Sequence, residues 1–310
     1  MIRIRGKVVL WAAILAVSTL LNGCQNKAEK SAETNQSAVE TEERATEQEE
    51  ATEGAADSQT ETEETKGEKG EAKEERRYNK KPDPVASEGS KILFVGNSHT
   101  YVNNLPGMFL ELAFAGGHNV DVYDLTEGMY YLEMFADPED ELGAILYQAL
   151  TEEKWDFVFL QDNTNAAFSK AEEKMFPYAR ILNEKIKNAG GQTGFFMTWS
   201  PEDGTGIFGA ETVQKALSQS YQTIARELDS LLLPGGDLFM EALSQDSELQ
   251  LWGEDGQHPS ETGTYLTACA VYALLFQETP EGNQYIDVLD QETAGRLQKI
   301  AADYMLGESL

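Results

Sequence analysis

Histidine and cysteine are scarce in this chain of 310 residues, with three of the first and two of the second. Two cysteines cannot build a disulfide framework or a cysteine-rich zinc site, and three histidines leave little room for a histidine-based metal centre. Any chemistry that needs an imidazole must draw on His99, His118 or His258. Basic residues are also few, 24 Lys and Arg against 54 Asp and Glu, for a net charge of −30. A surface so acidic repels phosphate at every approach, which excludes nucleic acid as a partner. The one long apolar run, Val8 to Leu21, has fourteen residues, short of the roughly 20 that a membrane-spanning helix needs. No P-loop, zinc signature or EF-hand loop is present.

The charge divides the chain into three parts. Residues 1–24 carry Arg3, Arg5 and Lys7 and no acid, and basic residues ahead of a short apolar run read as a secretion signal. The run closes on Leu21-Asn22-Gly23-Cys24, which resembles a bacterial lipobox. The resemblance implies removal of residues 1–23, lipidation of Cys24 and attachment to the extracytoplasmic face of a bacterial cell membrane, since several acyl chains on one residue hold a protein stably. The alternative is an uncleaved anchor helix with a chance cysteine. Residues 25–90 carry 19 acids and 10 bases, and from Gln25 to Arg77 there is no aromatic, Leu, Ile or Met. Such a stretch cannot bury enough apolar surface to offset its chain entropy. Residues 24–90 therefore read as a disordered acidic tether, and residues 91–310, with 35 acids and 11 bases, as the folded domain.

Short apolar runs alternate with helical patterns through that domain. Lys91–Val95, Val120–Leu125, Asp156–Leu160, Thr193–Trp199 and Leu231–Leu233 read as strands. Helices are expected after Leu105, over 138–152, 169–189 and 210–230, then over Ser260–Phe276 and Gln291–Met305. This alternation indicates βαβ units around a parallel sheet of about five strands, with helices on both faces. In such sheets ligands bind at the carboxyl ends of the strands.

Those ends carry a particular set of groups: Gly96-Asn97-Ser98-His99-Thr100, then Glu127-Gly128-Met129, then Gln161-Asp162-Asn163-Thr164. Asp255-Gly256-Gln257-His258 precedes the helix at Ser260. Together they offer a hydroxyl, a loop glycine, side-chain amides, a carboxylate and an imidazole. Acyl transfer uses these groups, because a serine hydroxyl is a weak nucleophile until a base takes its proton. A carboxylate then fixes the imidazole tautomer, and amides stabilise the oxyanion.

The four blocks resemble those of the SGNH (GDSL-type) hydrolase superfamily over residues 92 to about 277. The resemblance implies a flavodoxin-like three-layer α/β/α sandwich and an esterase, lipase, thioesterase or carbohydrate O-deacetylase activity. By that resemblance Ser98 is the nucleophile, with Asp255 and His258 completing the triad. The backbone of Ser98 and Gly128 and the side chain of Asn163 supply the oxyanion donors. Two departures stand out. Asn97 replaces the usual aspartate, and the usual Gly-x-Asn-Asp is Gln161-Asp162-Asn163-Thr164, so Gln161 is an alternative amide donor.

The remaining candidates read as follows. His99 suits substrate contact or loop packing, His118 a surface turn, and Cys269 a buried core thiol. Trp199 and Trp252 suit either the site or the core. Gly204-Thr205-Gly206-Ile207-Phe208-Gly209 imitates a dinucleotide fingerprint, but four residues separate it from the strand and two of them are acids, so it reads as an active-site loop. The expectation is a monomeric, membrane-anchored serine esterase that needs no metal and no cofactor. Its substrate is a small ester or an acylated glycan, neutral or cationic given the domain charge. The competing reading is a glycan-binding lipoprotein with a degenerate site on the same fold.

Overall fold

The computed structural model describes residues 77–307 together with the backbone of Arg3–Ile4. Apart from that dipeptide, the expected signal segment, Cys24 and the tether up to residue 76 lie outside the described residues. Among the described residues six strands form one sheet: β1 (Arg3–Ile4), β2 (Lys91–Gly96), β3 (Asp121–Thr126), β4 (Phe157–Leu160), β5 (Gln192–Met197) and β6 (Leu231–Pro234). The order is β1-β3-β2-β4-β5-β6. β1 pairs antiparallel with β3, and the other five are parallel throughout. These five have the expected flavodoxin-like order. The chain leaves β2 toward β3 and then returns past it to β4, so the crevice at the switch point opens between the ends of β2 and β4.

Alternation along the strands builds a core on each side of the sheet. Ile92 and Phe94 of β2, with Phe157 and Phe159 of β4, face one layer, while Leu93, Val95, Val158 and Leu160 face the other. The first layer holds α2 (Leu105–Ala115), α8 (Gly235–Gln245), α9 (Glu261–Phe276) and α10 (Gln291–Leu306). The second holds α3 (Leu132–Ala136), α4 (Glu141–Glu152), α6 (Phe176–Asn188) and α7 (Ala210–Leu228). Two short helices, α1 (Ser98–Tyr101) and α5 (Thr164–Ser169), sit at the carboxyl ends of β2 and β4. Helix α9 is apolar nearly all round and buried from Gly263 to Phe276, as a helix without a polar face must be. Cys269 lies within it, fully buried, as expected of a core thiol. Among the described residues no helix is long and apolar enough to cross a membrane.

Three expectations change. The single helix expected over 169–189 becomes a π-helical turn at Ala171–Met175 followed by α6, with the short α5 just before it. Lys170 leaves helical geometry (φ −146°, ψ 38°), and Pro177, which lacks an N–H, suits the first turn of a new helix. Helix α8 has no counterpart in the expected elements, and it opens on two glycines, which are weak helix formers. Both glycines instead let the first turn pack where a Cβ would strike the carbonyls of Met197 and Thr198. The domain also begins earlier than residue 91. Tyr78 donates its hydroxyl to the Ser230 carbonyl at 2.8 Å, Arg77 covers the Tyr304 ring, and Ala86 N–H bonds to the Leu275 carbonyl. One aromatic, a few polar side chains such as Arg77, Asn79 and Lys80, and backbone bonds secure a segment whose composition otherwise matches the tether.

Gly194 of β5 lies opposite Phe159 of β4, whose ring covers it and stacks on Phe94 at 5.2 Å. A Cβ at 194 would drive into that ring. Gly194→Ala should therefore lower stability by about 1–3 kcal/mol, the cost of overpacking a filled core. Urea unfolding checks this, and an unchanged midpoint would show that the ring moves freely.

Candidate active site

β2 ends at Gly96 because the next strand end leaves no room for a side chain, and a Cβ there would collide with Gln161 and Thr100. Asn97, fully buried, then caps α1 by accepting the His99 N–H at 3.2 Å. Asparagine does more here than an aspartate could. Its Oδ1 also accepts from Gln161 Nε2 at 3.0 Å, while its Nδ2 donates to the Tyr130 carbonyl at 3.0 Å. Its backbone N–H donates to Gln161 Oε1 at 2.8 Å, an oxygen that also accepts from Thr100 Oγ1. The second hydrogen of Gln161 Nε2 goes to the Asp162 carbonyl at 2.6 Å. Both amide hydrogens of Gln161 are thus spent inside the protein. This corrects the expectation that Gln161 can offer one to a substrate: it holds the β2 and β4 ends together instead.

Ser98 follows Asn97 on the first turn of α1, and its Oγ lies 2.8 Å from His258 Nε2. His258 Nδ1 lies 2.5 Å from Asp255 Oδ2. The other oxygen of Asp255 accepts the backbone N–H groups of Gln257 and His258, each at 2.9 Å. The same carboxylate therefore shapes the turn and holds the ring. Hydrogen bonds from His258 and from both backbone groups keep Asp255 far below the usual carboxylate range, although half of its side chain is exposed. An ionised carboxylate only accepts, so Nδ1 carries the ring proton and Nε2 presents its lone pair to the Ser98 hydroxyl.

The turn is fixed from several sides. Gly253 N–H bonds to the His258 carbonyl, and Gly256, at φ +63°, supplies the left-handed position the turn requires. Trp199 Nε1 donates to the Gln257 carbonyl at 2.8 Å, and Trp252 Nε1 donates to the Ser200 carbonyl at 3.0 Å. Both tryptophans are buried and neither lines the cleft, which decides between their two expected places.

Ser98 and His258 open into a cleft of about 370 Å³ whose walls include Gly128, Asn163, Tyr101, Met129, Phe168 and Thr205. The three residues expected to supply oxyanion donors thus border one cavity. Asn163 Oδ1 caps α5 by accepting the Asn165 N–H at 3.0 Å, and its Nδ2 has no hydrogen-bond partner among the described residues. The Gly128 N–H donates to Glu127 Oε1 of the preceding residue at 2.9 Å, so this donor is already engaged. Of the other histidines, His99 lines the cleft with its ring 5.5 Å from those of Trp199 and His258. Burial, with the neighbouring His258, pushes it down to about 4, so it is neutral near pH 7. His118 stacks on Phe276 at 3.8 Å and pairs with Glu278, outside the cleft. The glycine-rich imitation motif is a tight turn closed between Thr205 and Phe208, with Thr205 on the cleft wall.

Asp162 is the residue the sequence reading passed over. It continues the face of Val158 and Leu160 and is fully buried, and burial pushes its carboxyl up to about 7. Strand alternation carried that signal, since 158, 160 and 162 point to one side.

No family model and no curated protein matches the chain. Solved structures do. A candidate SGNH hydrolase from Slackia heliotrinireducens is 26% identical, with a TM-score of 0.52 over 60% of this chain and 99% of that one. The chain has the fold of SGNH-type hydrolases. A DUF4886 family protein from Bacteroides uniformis has the same fold at 16% identity, with a TM-score of 0.59 over 72% of this chain and 98% of its own. An acetylxylan esterase from Geobacillus stearothermophilus aligns at 17% identity and a TM-score of 0.46 over 61% of this chain and 95% of its own.

The cleft is braced by an asparagine whose donor and acceptor ends are both used. Asn97→Asp would set an acceptor against the Tyr130 carbonyl and bury a charge. Stability should fall by about 1–3 kcal/mol at pH 7. A carboxyl raised in the folded state costs stability above its unfolded pKa and stops doing so as pH falls below it. The deficit should therefore narrow between pH 7 and pH 4, measured against wild type by urea unfolding.

Proposed function

We propose that this chain is a serine esterase that works through an acyl-enzyme, held outside a bacterial membrane by a lipid on Cys24. The observation that carries the catalytic part is the continuous chain from Ser98 Oγ to His258 Nε2 at 2.8 Å and from His258 Nδ1 to Asp255 at 2.5 Å. Nε2 takes the hydroxyl proton as Oγ attacks the ester carbonyl. The carbonyl oxygen, gaining charge, displaces Glu127 from the Gly128 N–H and is also received by Asn163 Nδ2 and the Ser98 N–H. The imidazolium, balanced by Asp255, returns its proton to the departing alcohol. Water then repeats the sequence on the acyl-enzyme and releases the acid.

The substrate reading is an acylated, neutral or cationic glycan. The folded part carries 35 acids against 11 bases, which disfavours polyanions. The cleft wall carries the exposed side chains Tyr101 and Met129, and the exposed Phe208 packs against the cleft-lining Phe168, surfaces suited to the C–H face of a sugar ring. Support for the anchor is the order of basic residues, apolar run and cysteine before residue 25.

Wild-type protein should turn over p-nitrophenyl acetate and react with a fluorophosphonate probe. Ser98→Ala should abolish labelling, and His258→Ala should lower kcat by roughly 10³-fold or more, with Asp255→Asn losing roughly 10²–10⁴-fold. Wild-type protein that neither labels nor turns over would leave the binding-protein reading standing. For the anchor, radiolabelled palmitate fed to bacteria producing the chain should enter wild type and not Cys24→Ser; equal labelling of both would remove Cys24 from that role.

A further inference from the structure

We propose that Asp162 is a positioning residue that joins the two loops carrying the oxyanion donors into one frame. This rests on the esterase reading and deepens it. Asp162 Oδ1 accepts the N–H of Leu132 at 3.0 Å and the N–H of Asn163 at 2.7 Å. Leu132 ends the loop that carries Gly128, and Asn163 is itself a donor residue. One oxygen therefore sets the spacing between the two walls that must close on the same carbonyl oxygen.

Three observations separate this from ordinary packing. The position continues an apolar face, Val158 and Leu160, where a leucine would fill the space without desolvating a carboxyl group. Asp162 Oδ2 is buried with no hydrogen-bond partner, so the group is kept despite leaving half its acceptor capacity unused. Helix α3 has no side-chain cap from Tyr131 at its own start, and Asp162 supplies that bond across the loops. Around the carboxyl stand the Tyr221 hydroxyl, which receives the Asp162 N–H at 3.4 Å, and the more distant charge of Glu133. Neither offers Oδ2 a donor.

A transition-state donor displaced by a fraction of an ångström loses much of its worth, while the bound ester, whose carbonyl is not yet charged, notices little. The signature is a fall in kcat with KM held. Two substitutions with the same branched skeleton isolate the acceptor. Asp162→Asn keeps Oδ1, and Asp162→Leu fills the site without it. With p-nitrophenyl acetate, Asp162→Asn should stay within about threefold of wild-type kcat. Asp162→Leu should lose about tenfold or more, with KM within about threefold and an unchanged circular dichroism spectrum. Asp162→Ala serves as a second variant without the acceptor if the leucine does not fold.

A leucine or alanine variant with kcat within threefold of wild type would overturn the proposal. So would Asp162→Asn as slow as Asp162→Leu, or losses that appear in KM alone. If neither apolar variant folds, a tenfold loss of kcat in Asp162→Asn decides against it. Failure of wild type to turn over the ester counts against the esterase reading; an active wild type whose variants behave in these ways counts against Asp162 alone.

Discussion

The amide exchange between Asn97 and Gln161 is the constraint on which the rest of the site depends. At the switch point of a parallel sheet two neighbouring strands end and their chains depart in opposite directions, which is what opens a crevice. The same divergence leaves the loops without ladder hydrogen bonds just where positions must be held to within a fraction of an ångström. Here the missing ladder is replaced by side chains. Asn97 and Gln161 exchange donor and acceptor groups across the gap, Asn97 reaches Tyr130, and Asp162 reaches Leu132. Three strand ends are thereby linked by buried polar bonds, worth more in a dry interior than at a surface and costly if any partner is lost.

The fourth loop, with Asp255 and His258, is held by different means. It lies beside the helical layer of α8 and α9 and is secured by its own turn, by Trp199 and by the bond from Glu202 to the Gly256 carbonyl. The nucleophile and its base therefore come from separately braced parts of the molecule. They meet at the Ser98–His258 hydrogen bond and at the bond from Asn103 Nδ2, just after α1, to the Pro259 carbonyl at 2.7 Å, which ties the two sides together beside the reacting groups.

How much of this was legible in the sequence follows from range. Ser98 stands directly after an apolar strand, and Asp255 and His258 are three residues apart in one turn, so local spacing places them. The strand runs are short and buried on both faces, and their order around a helical alternation gave the sheet. The Gln161-Asp162-Asn163 block was harder. Three adjacent polar residues turn to different neighbours, and which one meets the cleft depends on Asn97 and Leu132, 64 and 30 residues away in sequence. The start of α8 was hidden for a related reason. Gly235-Gly236 punctuates a chain read locally, but in the folded layer its lack of side chains is what lets the helix approach Met197 and Thr198. Residues 77–90 join the domain through Tyr78, polar side chains such as Arg77, Asn79 and Lys80, and backbone bonds, contacts that leave the polar composition of the stretch unchanged.

The excess of acid also resolves into distinct parts. The surface charge sets the kind of molecule that approaches, but the reactive groups answer to what touches them. Asp255, half exposed, is held ionised because two backbone N–H groups and the imidazole converge on it. Asp162, sealed from water with one oxygen unpartnered, is pushed the other way by burial, against two similar backbone bonds. The backbone bonds are alike; the imidazole bond at Asp255 and the desolvation of Asp162 set the opposite signs. His99 shows the same rule for a base: amid 54 acidic residues it is kept neutral by burial beside His258. Net charge thus acts at a distance on encounter, while protonation in the cleft is fixed by contacts a few ångströms across.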